Sequence, residues 1–408
     1  MNKIERLLHT LVPKGVEFRK LGEVCEIIRG KRVTKKEILD KGKYPVVSGG
    51  IGFMGYLNEY NREENTITIA QYGTAGFVNW QNQKFWANDV CFSLIPKEIL
   101  INRYLYHVLT NMQNYLYSIS NRSAIPYSIS SNNIMQITIP IPPLEIQQEI
   151  VKILDAFTEL NTELNTELNA RKKQYKYYQN MLLDFNDINQ SHKDAKEKLA
   201  QKPYPKRLKT LLHTLAPKGV GFRKLGEVLE YDQPNKYCVT SKDFDESYPT
   251  PVLTAGKTFI LGYTNEKDNI YQASKSSPVI IFDDFTTATQ WVDFPFKVKS
   301  SAMKILLPKN PIINIRFIFF YMQTIPYNIG GEHARHWISR YSQLEVPIPP
   351  LEIQQEIVTI LDQFSALTTD LLAGIPAEIK ARKKQYEYYR EKLLAFKPLT
   401  PNKEVKKC

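Results

Sequence analysis

The longest regular pattern of apolar positions runs through residues 144–185. Apolar side chains recur there at spacings of mostly three, four or seven residues, namely Ile150, Leu154, Phe157, Leu160, Leu164, Leu168, Tyr175, Tyr178, Leu182 and Phe185. This period predicts one amphipathic α-helix. At 1.5 Å per residue, its length of about 63 Å is too great for one globule to cover. We therefore expect it to pack along a second helix, residues 351–396, as a coiled-coil-like pair, with Gly374-Ile375-Pro376 kinking or breaking the second helix.

Shorter apolar runs, interrupted by Gly and Pro, precede each helix. Four of them are rich in β-branched and other apolar residues and predict strands: residues 66–70, 90–95, 278–282 and 302–307. The aromatic segments 103–109 and 316–322 are more typical of helices whose rings pack in a core than of a ligand site. Each region preceding a long helix is therefore expected to be a mixed α/β globule.

The chain repeats itself in three ordered pieces. Residues 7–24 and 211–228 differ at two positions, as do residues 141–157 and 348–364, and residues 170–185 and 381–396 share 11 of 16 positions. Between these pieces, the inserts 25–140 and 229–347 have almost nothing in common. The sequence thus predicts two copies of one frame carrying different inserts, and function is expected to lie in the inserts.

A tetrad repeats three times within the first helix, as Thr158-Glu159-Leu160-Asn161 and its two successors. Four residues rotate a helix by about 400° and lengthen it by about 6 Å, so each tetrad returns its leucine to nearly the same face. Leu160, Leu164 and Leu168 therefore form a ruler in which length can change by whole tetrads. Between the two copies, residues 186–206 are polar and are interpreted as a short exposed linker, with Pro203 and Pro205 ending any helix.

The composition of the chain limits the classes of partner that it can bind. The 408 residues exceed a usual single domain, and 54 Lys and Arg against 42 Asp and Glu give a net charge of +12, which favours a polyanion such as nucleic acid. We expect a cytoplasmic protein, because the N-terminal residues lack the apolar run of a signal peptide and no stretch is apolar enough to span a membrane. The dispersed Cys25, Cys91, Cys238 and Cys408 favour reduced, inert thiols.

Two motifs frame each copy and carry a family resemblance. Lys20-Leu21-Gly22-Glu23-Val24 and Lys224-Leu225-Gly226-Glu227-Val228 open the units, and Pro142-Pro143-Leu144-Glu145-Ile146-Gln147 and Pro349-Pro350-Leu351-Glu352-Ile353-Gln354 begin the helices. A tandem of unlike inserts, each followed by such a helix, resembles the DNA-specificity subunit of type I restriction-modification systems over the whole chain.

The resemblance implies an α+β fold: two mixed α/β target-recognition domains, separated by two long antiparallel helices and related by a pseudo-twofold repeat. Each domain would read one half of a bipartite double-stranded DNA site, and the tetrads would set the unread gap. On this basis we divide the chain into a first recognition domain, a spacer helix, a linker, a second recognition domain, a second spacer helix and a tail, residues 1–143, 144–185, 186–206, 207–350, 351–397 and 398–408.

The same resemblance implies that the chain is not itself an enzyme. It would position two methyltransferase subunits and the restriction and translocase subunits, with S-adenosylmethionine, ATP and Mg²⁺ expected on those partners and no cofactor or metal in this chain. The sequence agrees, since it has neither a G-x-x-x-x-G-K-[ST] phosphate loop nor the Asn/Asp-Pro-Pro-Tyr/Phe tetrapeptide of amino-methyltransferases.

Candidate DNA contacts in the first insert lie in polar, glycine-containing segments. Arg29, Lys31 and Arg32 form a basic turn suited to phosphate, although a solvated loop is about as plausible. Gln71, Tyr72 and Thr74, with Trp80 further on, could bring side chains and backbone close to DNA or form a structural turn. Further candidates, which resemble segments near the family's DNA face, are Ser48, Arg122 and Tyr127.

In the second insert, Thr254 and Lys257 occupy a place comparable to that of Ser48. The segment 283–291 offers Thr286, Thr287, Gln290 and Trp291 as contacts, whereas helix capping or loop hydrogen bonding is favoured for Asp283 and Asp284. The strongest single candidate is the glycine-hinged, basic and aromatic segment 330–340, with His333, Arg335, His336 and Arg340. A metal site at the two histidines is disfavoured for want of a third ligand.

Three alternatives stay open. The basic runs beginning at Arg171 and Arg382 are either solvated helix faces or a shared docking surface for a methyltransferase subunit or the DNA backbone. A metal-dependent nuclease at Asp283, Asp284, Asp293 and Lys297 is disfavoured, since the spacing is wrong for a D/E-x-K pair. A coiled-coil nucleic-acid-binding scaffold without sequence specificity would explain the helices but leave two large, unlike inserts without a role.

Overall fold

The structure is a computed structural model that describes residues 3–123, 125–190, 193–254, 258–326, 335–369 and 374–399. The chain divides into two compact units, unit 1 comprising Met1–Thr166 and Glu378–Cys408, and unit 2 comprising Glu167–Ala377. The helices of the described residues are α1 Lys3–Leu11, α2 Leu21–Val24, α3 Asn102–Asn111, α4 Gln113–Ser118, α5 Ser131–Met135, α6 Leu144–Leu183, α7 Ala195–Gln201, α8 Lys206–Leu215, α9 Leu225–Val228, α10 Ile315–Met322, α11 His336–Ser339, α12 Leu351–Thr369 and α13 Ile375–Leu394.

The strands alternate with these helices along each insert. They are β1 Glu17–Lys20, β2 Cys25–Arg29, β3 Tyr44–Val47, β4 Tyr56–Leu57, β5 Thr66–Ala70, β6 Val78–Gln81, β7 Trp86–Ala87, β8 Cys91–Pro96, β9 Thr138–Ile141, β10 Phe222–Lys224, β11 Leu229–Asp232, β12 Thr250–Leu253, β13 Ile260–Thr264, β14 Val279–Asp283, β15 Thr289–Val292, β16 Lys297–Val298, β17 Met303–Pro308 and β18 Glu345–Pro347. The four strands predicted from sequence correspond to β5, β8, β14 and β17. The α+β class is confirmed.

Both units contain the same sheets although their inserts are unlike in sequence. Unit 1 has a four-stranded antiparallel sheet of order β2-β8-β5-β6, a three-stranded sheet β4-β3-β7 and the pair β1-β9. Unit 2 has β11-β17-β14-β15, β13-β12-β16 and β10-β18, strand for strand the same arrangement. In both, the three-stranded sheet joins one antiparallel and one parallel pair. The frame that repeats in the sequence therefore extends through the inserts.

The cores form where the apolar strands meet the first aromatic helix of each insert. In unit 1, Ile67 and Ile69 of β5 and Tyr104 and Leu105 of α3 are fully buried with the start of α6. In unit 2, Ile280 and Phe282 of β14 pack in one cluster with residues of α10, whose N-terminus is capped by the Asn314 side chain accepting from the amide of Arg316 at 3.0 Å. The aromatic residues of these helices are mainly core residues, as the sequence indicated.

The predicted long helix is present as α6, which ends two residues earlier than expected and runs without interruption through the three tetrads. Leu160, Leu164 and Leu168 are half-buried. In unit 1, Phe157 of α6 stacks on Tyr389 of α13 with centroids 5.4 Å apart; in unit 2, Tyr178 of α6 stacks on Phe364 of α12 at 4.9 Å.

The second long helix is divided into α12 and α13, as Gly374 and Pro376 predicted. Residues 370–373 between them lie outside the described residues. Pro376 is the second residue of α13, a position in the first helical turn where its missing amide hydrogen costs no helical bond.

Residues 186–206 are not the exposed linker that the sequence suggested. Ile188 and Leu199 are fully buried and Tyr204 is 6% exposed, all in the core of unit 2. The reason is a backbone pairing with the repeated Gly-Val of this unit: the amide of Val220 donates to Ile188 O at 2.8 Å. The prolines act as predicted, since α7 ends at Gln201 before Pro203 and α8 begins at Lys206 after Pro205.

Unit 1 has the matching pairing at the end of α13. The amide of Val16 donates to Lys397 O at 2.8 Å. At the preceding residue, a Cβ on Gly15 (φ +109°) would lie 2.6 Å from Pro398 O, and one on Gly219 (φ +98°) would lie 2.3 Å from Ile188 O. The repeated glycine is required because backbone passes directly over it at a positive φ.

Candidate nucleic-acid interface

Four loops of unit 1 meet at one end of its sheets. Thr74 donates through both its amide and its hydroxyl to Gly49 O, at 3.0 and 2.7 Å. The amide of Gln71 donates to Val90 O at 2.9 Å, and that of Ile129 donates to Gln71 O at 3.0 Å. We call this set loop cluster 1, comprising residues 48–49, 71–74, 88–90 and 127–129. Its candidates Ser48, Gln71, Tyr72 and Thr74 are half-buried, with backbone fixed by neighbouring loops.

The predicted basic turn adjoins loop cluster 1. Arg29 Nε donates to Asp89 O at 2.7 Å, and Trp86 Nε1 donates to Lys31 O at 2.8 Å. The intervening Gly30 allows this approach, because a Cβ there would lie 2.0 Å from Asn88 O. Arg29, Lys31 and Arg32 are exposed, so their charges are available to a phosphate.

Arg122 and Tyr127 lie together on the other flank of the cluster. The Arg122 guanidinium is 5.2 Å from the ring centroids of both Tyr117 and Tyr127, and Gly73 donates its amide to Tyr127 O at 3.1 Å. Tyr127 is 44% exposed. The structure therefore brings together every candidate of the first insert except Trp80.

Unit 2 builds a corresponding set in which two of these backbone hydrogen bonds recur. The amide of Asp284 donates to Ala302 O at 3.2 Å, and the amide of His336 donates to Asp284 O at 2.9 Å. Asp284 thus stands where Gln71 stands in unit 1. We call this set loop cluster 2, comprising residues 254, 284–287, 299–302 and 335–337. Thr254 directly follows β12, as Ser48 directly follows β3. Lys257 and His333 lie outside the described residues.

The two acids of this loop serve its own geometry, as the sequence analysis favoured. Asp283 Oδ1 accepts from the amides of Phe285 and Thr286 at 2.9 and 3.2 Å. Asp284 Oδ1 accepts from the amide of Trp337 at 2.9 Å. Both acids are buried, at 6% and 1% exposure, so neither carboxylate is presented to a base edge. Among the neighbouring candidates, Thr286 and Gln290 are exposed and Thr287 is half-buried.

The segment from Arg335 to Tyr341 is anchored by aromatic side chains. Trp337 and Tyr341 are buried against Phe282, with ring centroids 5.1 and 4.8 Å from it. Arg335 and Arg340 point outward as exposed residues, whereas His336 is 4% exposed. Arg335 and Arg340 therefore fit a DNA contact, and the burial of His336 gives it a place in the packing instead.

Trp80 and Trp291 occupy equivalent positions outside both loop clusters. The Arg103 guanidinium lies 4.6 Å from the Trp80 ring and donates to Asp155 of α6 at 2.8 Å. The Arg316 guanidinium lies 4.4 Å from the Trp291 ring and donates to Asp362 of α12 at 2.7 Å. Both tryptophans thus help to fasten an insert to its long helix, and the geometry does not support the predicted DNA contact for either.

The repeated helix motif is explained by its buried glutamine. Gln147 Oε1 accepts from the amide of Ile101 at 2.8 Å, while its Nε2 donates to Ile99 O and Pro142 O at 2.9 and 2.8 Å. Gln354 makes the same three bonds, to Asn314 N, Ile312 O and Pro349 O, at 2.8, 3.1 and 2.7 Å. We call this feature the glutamine latch. It joins the start of each long helix to the loop before α3 or α10.

Lys297, one of the residues considered for a nuclease site, is engaged in a structural ion pair. Lys297 is 2% exposed, pairs with Glu266 Oε2 at 3.0 Å and donates to Asp268 O at 2.7 Å. Burial alone would raise the pKa of Glu266, but the bonds it accepts from Ser241, Lys297 and Thr240 lower it to about 2. Among the described residues, no group of three His, Cys, Asp or Glu is placed to hold a metal ion.

Two parts of the loop clusters escaped the sequence analysis. Residues 88–90 and 299–302 each follow a two-residue strand, β7 or β16, and a strand that short leaves little period-two pattern to detect. Lys304 of β17 was also missed, since a lysine within an apolar strand ordinarily indicates an exposed edge. The structure instead buries Lys304 to 2% exposure beneath loop cluster 2. Separately, no helix in the described parts of the chain is long and apolar enough to cross a membrane.

Comparison with known proteins agrees with this architecture. The family model described as the type I restriction modification DNA specificity domain matches twice, over residues 13–173 and 217–381. A putative type I restriction enzyme specificity subunit of Haemophilus influenzae is 31% identical over 404 residues, covering 93% of this chain and 96% of that protein. A type I restriction enzyme specificity subunit of Escherichia coli is 55% identical over 183 residues, covering 42% of this chain and 44% of that protein.

A solved structure shares the fold. The crystal structure of a type I restriction-modification S subunit from M. genitalium has a TM-score of 0.66 at 17% identity, covering 93% of this chain and 96% of that one. The two matched domains, the relative that is similar along nearly the whole length and the shared fold all agree with the repeated frame. The chain belongs to the family of type I restriction-modification specificity subunits, which are the DNA-recognition components of their complexes and are not catalytic.

Proposed function

We propose that this chain reads a bipartite double-stranded DNA sequence, one half with each loop cluster. The observation that carries the proposal is that two backbone hydrogen bonds recur in both clusters, on sheets of the same order, although the side chains differ. Gln71 and Asp284 hold equivalent joints, as do Val90 and Ala302. A constant frame with variable loop ends can present two different sets of groups to two base sequences.

The proposed DNA contacts fall into two chemical classes, those to phosphates and those to bases. Exposed guanidinium and ammonium groups would hold phosphates, and half-buried polar residues at the loop ends would approach base edges. For the first half-site we propose Arg29, Lys31, Arg32, Ser48, Gln71, Tyr72, Thr74, Arg122 and Tyr127, within a recognition domain of residues 1–143. For the second we propose Thr254, Thr286, Thr287, Gln290, Arg335 and Arg340, within a recognition domain of residues 207–350.

The tetrads of α6 would set the number of base pairs between the half-sites. The helix is continuous through all three tetrads, and each tetrad bonds to the one before it: the Thr162 and Thr166 hydroxyls donate to the carbonyls of Thr158 and Thr162, both at 2.9 Å. Loss of one tetrad shortens a helix by about 6 Å, the length of roughly one to two base pairs.

Two identical partners are favoured by a surface that occurs on both long helices. Arg171 bonds Gln174 and Glu167, at 3.2 and 3.4 Å, and Arg382 bonds Gln385 and Glu378 at 3.1 and 3.4 Å. Tyr177 and Tyr388, which follow these residues, are each 59% exposed. We propose that each surface receives one methyltransferase subunit and that restriction subunits join the complex. S-adenosylmethionine, ATP and Mg²⁺ would then be held by those partners.

A long-read methylome tests this function. Cells would express the chain with its cognate methyltransferase subunit, beside cells that lack the chain. We expect a modified bipartite motif only with the chain, and we expect its gap to shorten by roughly one to two base pairs when residues 162–165 are deleted.

A one-residue deletion at Thr162 serves as the control for that length change. It rotates the distal half of the helix by about 100°, so we expect lost methylation in place of a new gap. If the complex forms with the full-length, unchanged chain and no methylated motif appears, the sequence-specific function is wrong and a non-specific scaffold is favoured. If a motif appears but its gap is unchanged by the tetrad deletion, only the ruler is wrong.

A further inference from the structure

A buried cation lies directly beneath loop cluster 2. Lys304 is on β17, where it pairs with Phe282 of β14, and its side chain is 2% exposed. Its ammonium group is 3.5 Å from Asp284 Oδ2, donates a short hydrogen bond to Gln233 Oε1 and lies 4.8 Å from the centroid of the Tyr231 ring. Gln233 in turn donates to Ser301 O at 2.8 Å.

Asp284 also contacts the segment 335–340 through hydrogen bonds. Its carbonyl accepts from the amide of His336 at 2.9 Å, and its Oδ1 accepts from the amide of Trp337 at 2.9 Å. One residue therefore links the end of β14 to the start of the segment that carries Arg335 and Arg340. The charge facing this carboxylate from below is that of Lys304.

Unit 1 makes the equivalent backbone hydrogen bond with uncharged side chains at these positions. Gln71 replaces Asp284, and its carbonyl accepts from Ile129 at 3.0 Å. From the strand registers, Phe92 on β8, paired with Ile69 of β5, takes the place of Lys304. Phe92 is 4% exposed. An apolar residue therefore fills this position in one unit, so the fold itself does not require a lysine there.

We propose that the Lys304–Asp284 pair is a positioning device that fixes the segment 335–340 and so determines how the second half-site is read. This inference rests on the proposed function. A buried carboxylate that loses its cation is strongly destabilised and turns toward water. Turning of Asp284 would break its bond to Trp337 and release the start of the segment, while the sheet beneath remains. Lys304 acts only through Asp284 and makes no DNA contact itself.

The experiment compares Lys304→Met, Asp284→Asn and the double variant with the unchanged chain. Lys297→Met is the matched control, because Lys297 is equally buried in the same unit but pairs with Glu266, away from the segment. Two measurements are made: the methylated motif in cells carrying the cognate methyltransferase subunit, and hydrogen exchange of the peptide covering residues 335–343 in the purified chain.

We expect Lys304→Met to reduce discrimination in the second half-site about tenfold at one or more base pairs and to leave the first half-site and the gap unchanged. Protection of the 335–343 peptide should fall by about tenfold in the same variant. The double variant is neutral and keeps an oxygen that can accept from Trp337, so it should regain most of both properties. Lys297→Met should lower total methylation without altering the motif.

Other results would overturn the inference. One is an unchanged second half-site and unchanged exchange in Lys304→Met; another is a double variant no better than the singles. If Lys304→Met does not fold, Asp284→Asn against the double variant decides the same point, since only the single leaves an unbalanced charge. If the unchanged chain gives no motif, the proposed function fails, and the exchange of the 335–343 peptide still decides whether the pair fixes the segment.

Discussion

Unit 1 and unit 2 agree in the contacts that fasten each globule to a long helix and differ in the contacts beneath the loops. The glutamine latch occurs in both, at Gln147 and Gln354. The cluster of tryptophan, arginine and aspartate also occurs in both, although Trp80, Arg103, Trp291 and Arg316 all lie in the inserts that share almost no sequence. Fastening contacts thus recur even where the surrounding sequence has diverged.

The difference lies at the loop ends of the central strands. There, Gln71 and Phe92 in unit 1 correspond to Asp284 and Lys304 in unit 2. The pair is neutral in unit 1 and ionic in unit 2. The comparison shows that the shared frame fixes the position at which each loop begins. The side chains that hold the loop in place, and those that the loop exposes, can differ between the units. Under the proposed function, two unlike loop clusters on one frame would be the physical basis for reading two unlike half-sites.

The largest effect is expected from the latches. Gln147→Leu would leave the amide of Ile101 and two carbonyls unpaired at a fully buried site, and each unpaired group costs about 1–3 kcal/mol. We expect the free energy of unfolding of unit 1 to fall by about 3 kcal/mol or more. Gln354→Leu should do the same to unit 2. Hydrogen exchange of peptides from each unit, followed in denaturant, measures both.

The adjacent glutamines provide the control for the latches. Gln148 and Gln355 are exposed neighbours in the same motif, and their replacement by Leu should change the free energy of unfolding by no more than about 0.5 kcal/mol. A loss of stability in one unit only would contradict the comparison, since it would mean that the glutamine latch stabilises one unit and not the other.

A smaller and unequal effect is expected from the arginines. Arg103→Met and Arg316→Met each remove an ion pair and a cation–π contact, together worth about 1–2 kcal/mol. In unit 1, His107 Nε2 still donates to Asp155 Oδ1 at 2.8 Å, whereas Phe320 occupies the equivalent place in unit 2. Asp362 would therefore lose more than Asp155, and unit 2 should be destabilised more.

Thermal or denaturant unfolding with the same peptide probes tests this order. A matched variant, His107→Phe, copies unit 2 into unit 1, and combined with Arg103→Met it should equalise the two losses. Equal losses without that change would mean that His107 contributes nothing to holding Asp155.

The smallest effect near neutral pH is expected from the titration of single side chains. The two units should lose stability in different pH ranges. Burial lowers the pKa of His107 despite its bond to Asp155, so protonation favours unfolding, and unit 1 should lose stability as pH falls below the ordinary histidine value of about 6.5. In unit 2 the pKa of Glu266 is about 2, so its stabilisation is complete above its ordinary value of 4.5 and is lost as pH falls toward 2.

Exchange measured across pH and corrected for the intrinsic rate checks both slopes. His107→Phe should flatten the response of unit 1 between about pH 6.5 and 5, and Glu266→Gln should flatten that of unit 2 below about pH 4.5. A steeper fall in unit 2 than in unit 1 at pH 6 would contradict the assignment.

The periodic elements were predictable from sequence, and the linker was not. The apolar spacing from Ile150 to Leu182 was sufficient for α6, because a helix of that length has many turns in which to repeat its pattern. Residues 186–206 look polar on average, yet Ile188, Leu199 and Tyr204 are buried. Their burial depends on a pairing with Val220 about thirty residues away, which a local pattern does not contain.

The candidate site was predicted in the same uneven way. Glycine and basic residues identified Arg29 to Arg32 and Gln71 to Thr74 as loop segments, since turn chemistry is local; their DNA contacts stay a prediction. The sequence did not indicate the packing contacts of Trp80, Trp291 and Lys304, because an aromatic or charged residue has the same appearance in a sequence whether it lies on the surface or packs against another side chain.

By itself, the sequence determined the repeat, the long helix with its tetrads, the mixed globules and the family that they indicate, since these follow from periodicity and motif within the chain. Only the tertiary structure decided that the unlike inserts share one sheet order, that loops distant in sequence meet in two clusters and that Lys304 lies buried beneath one of them. The physical reason is that a contact is set by which surfaces the packed core brings together, and that information is distributed over residues far apart in the chain.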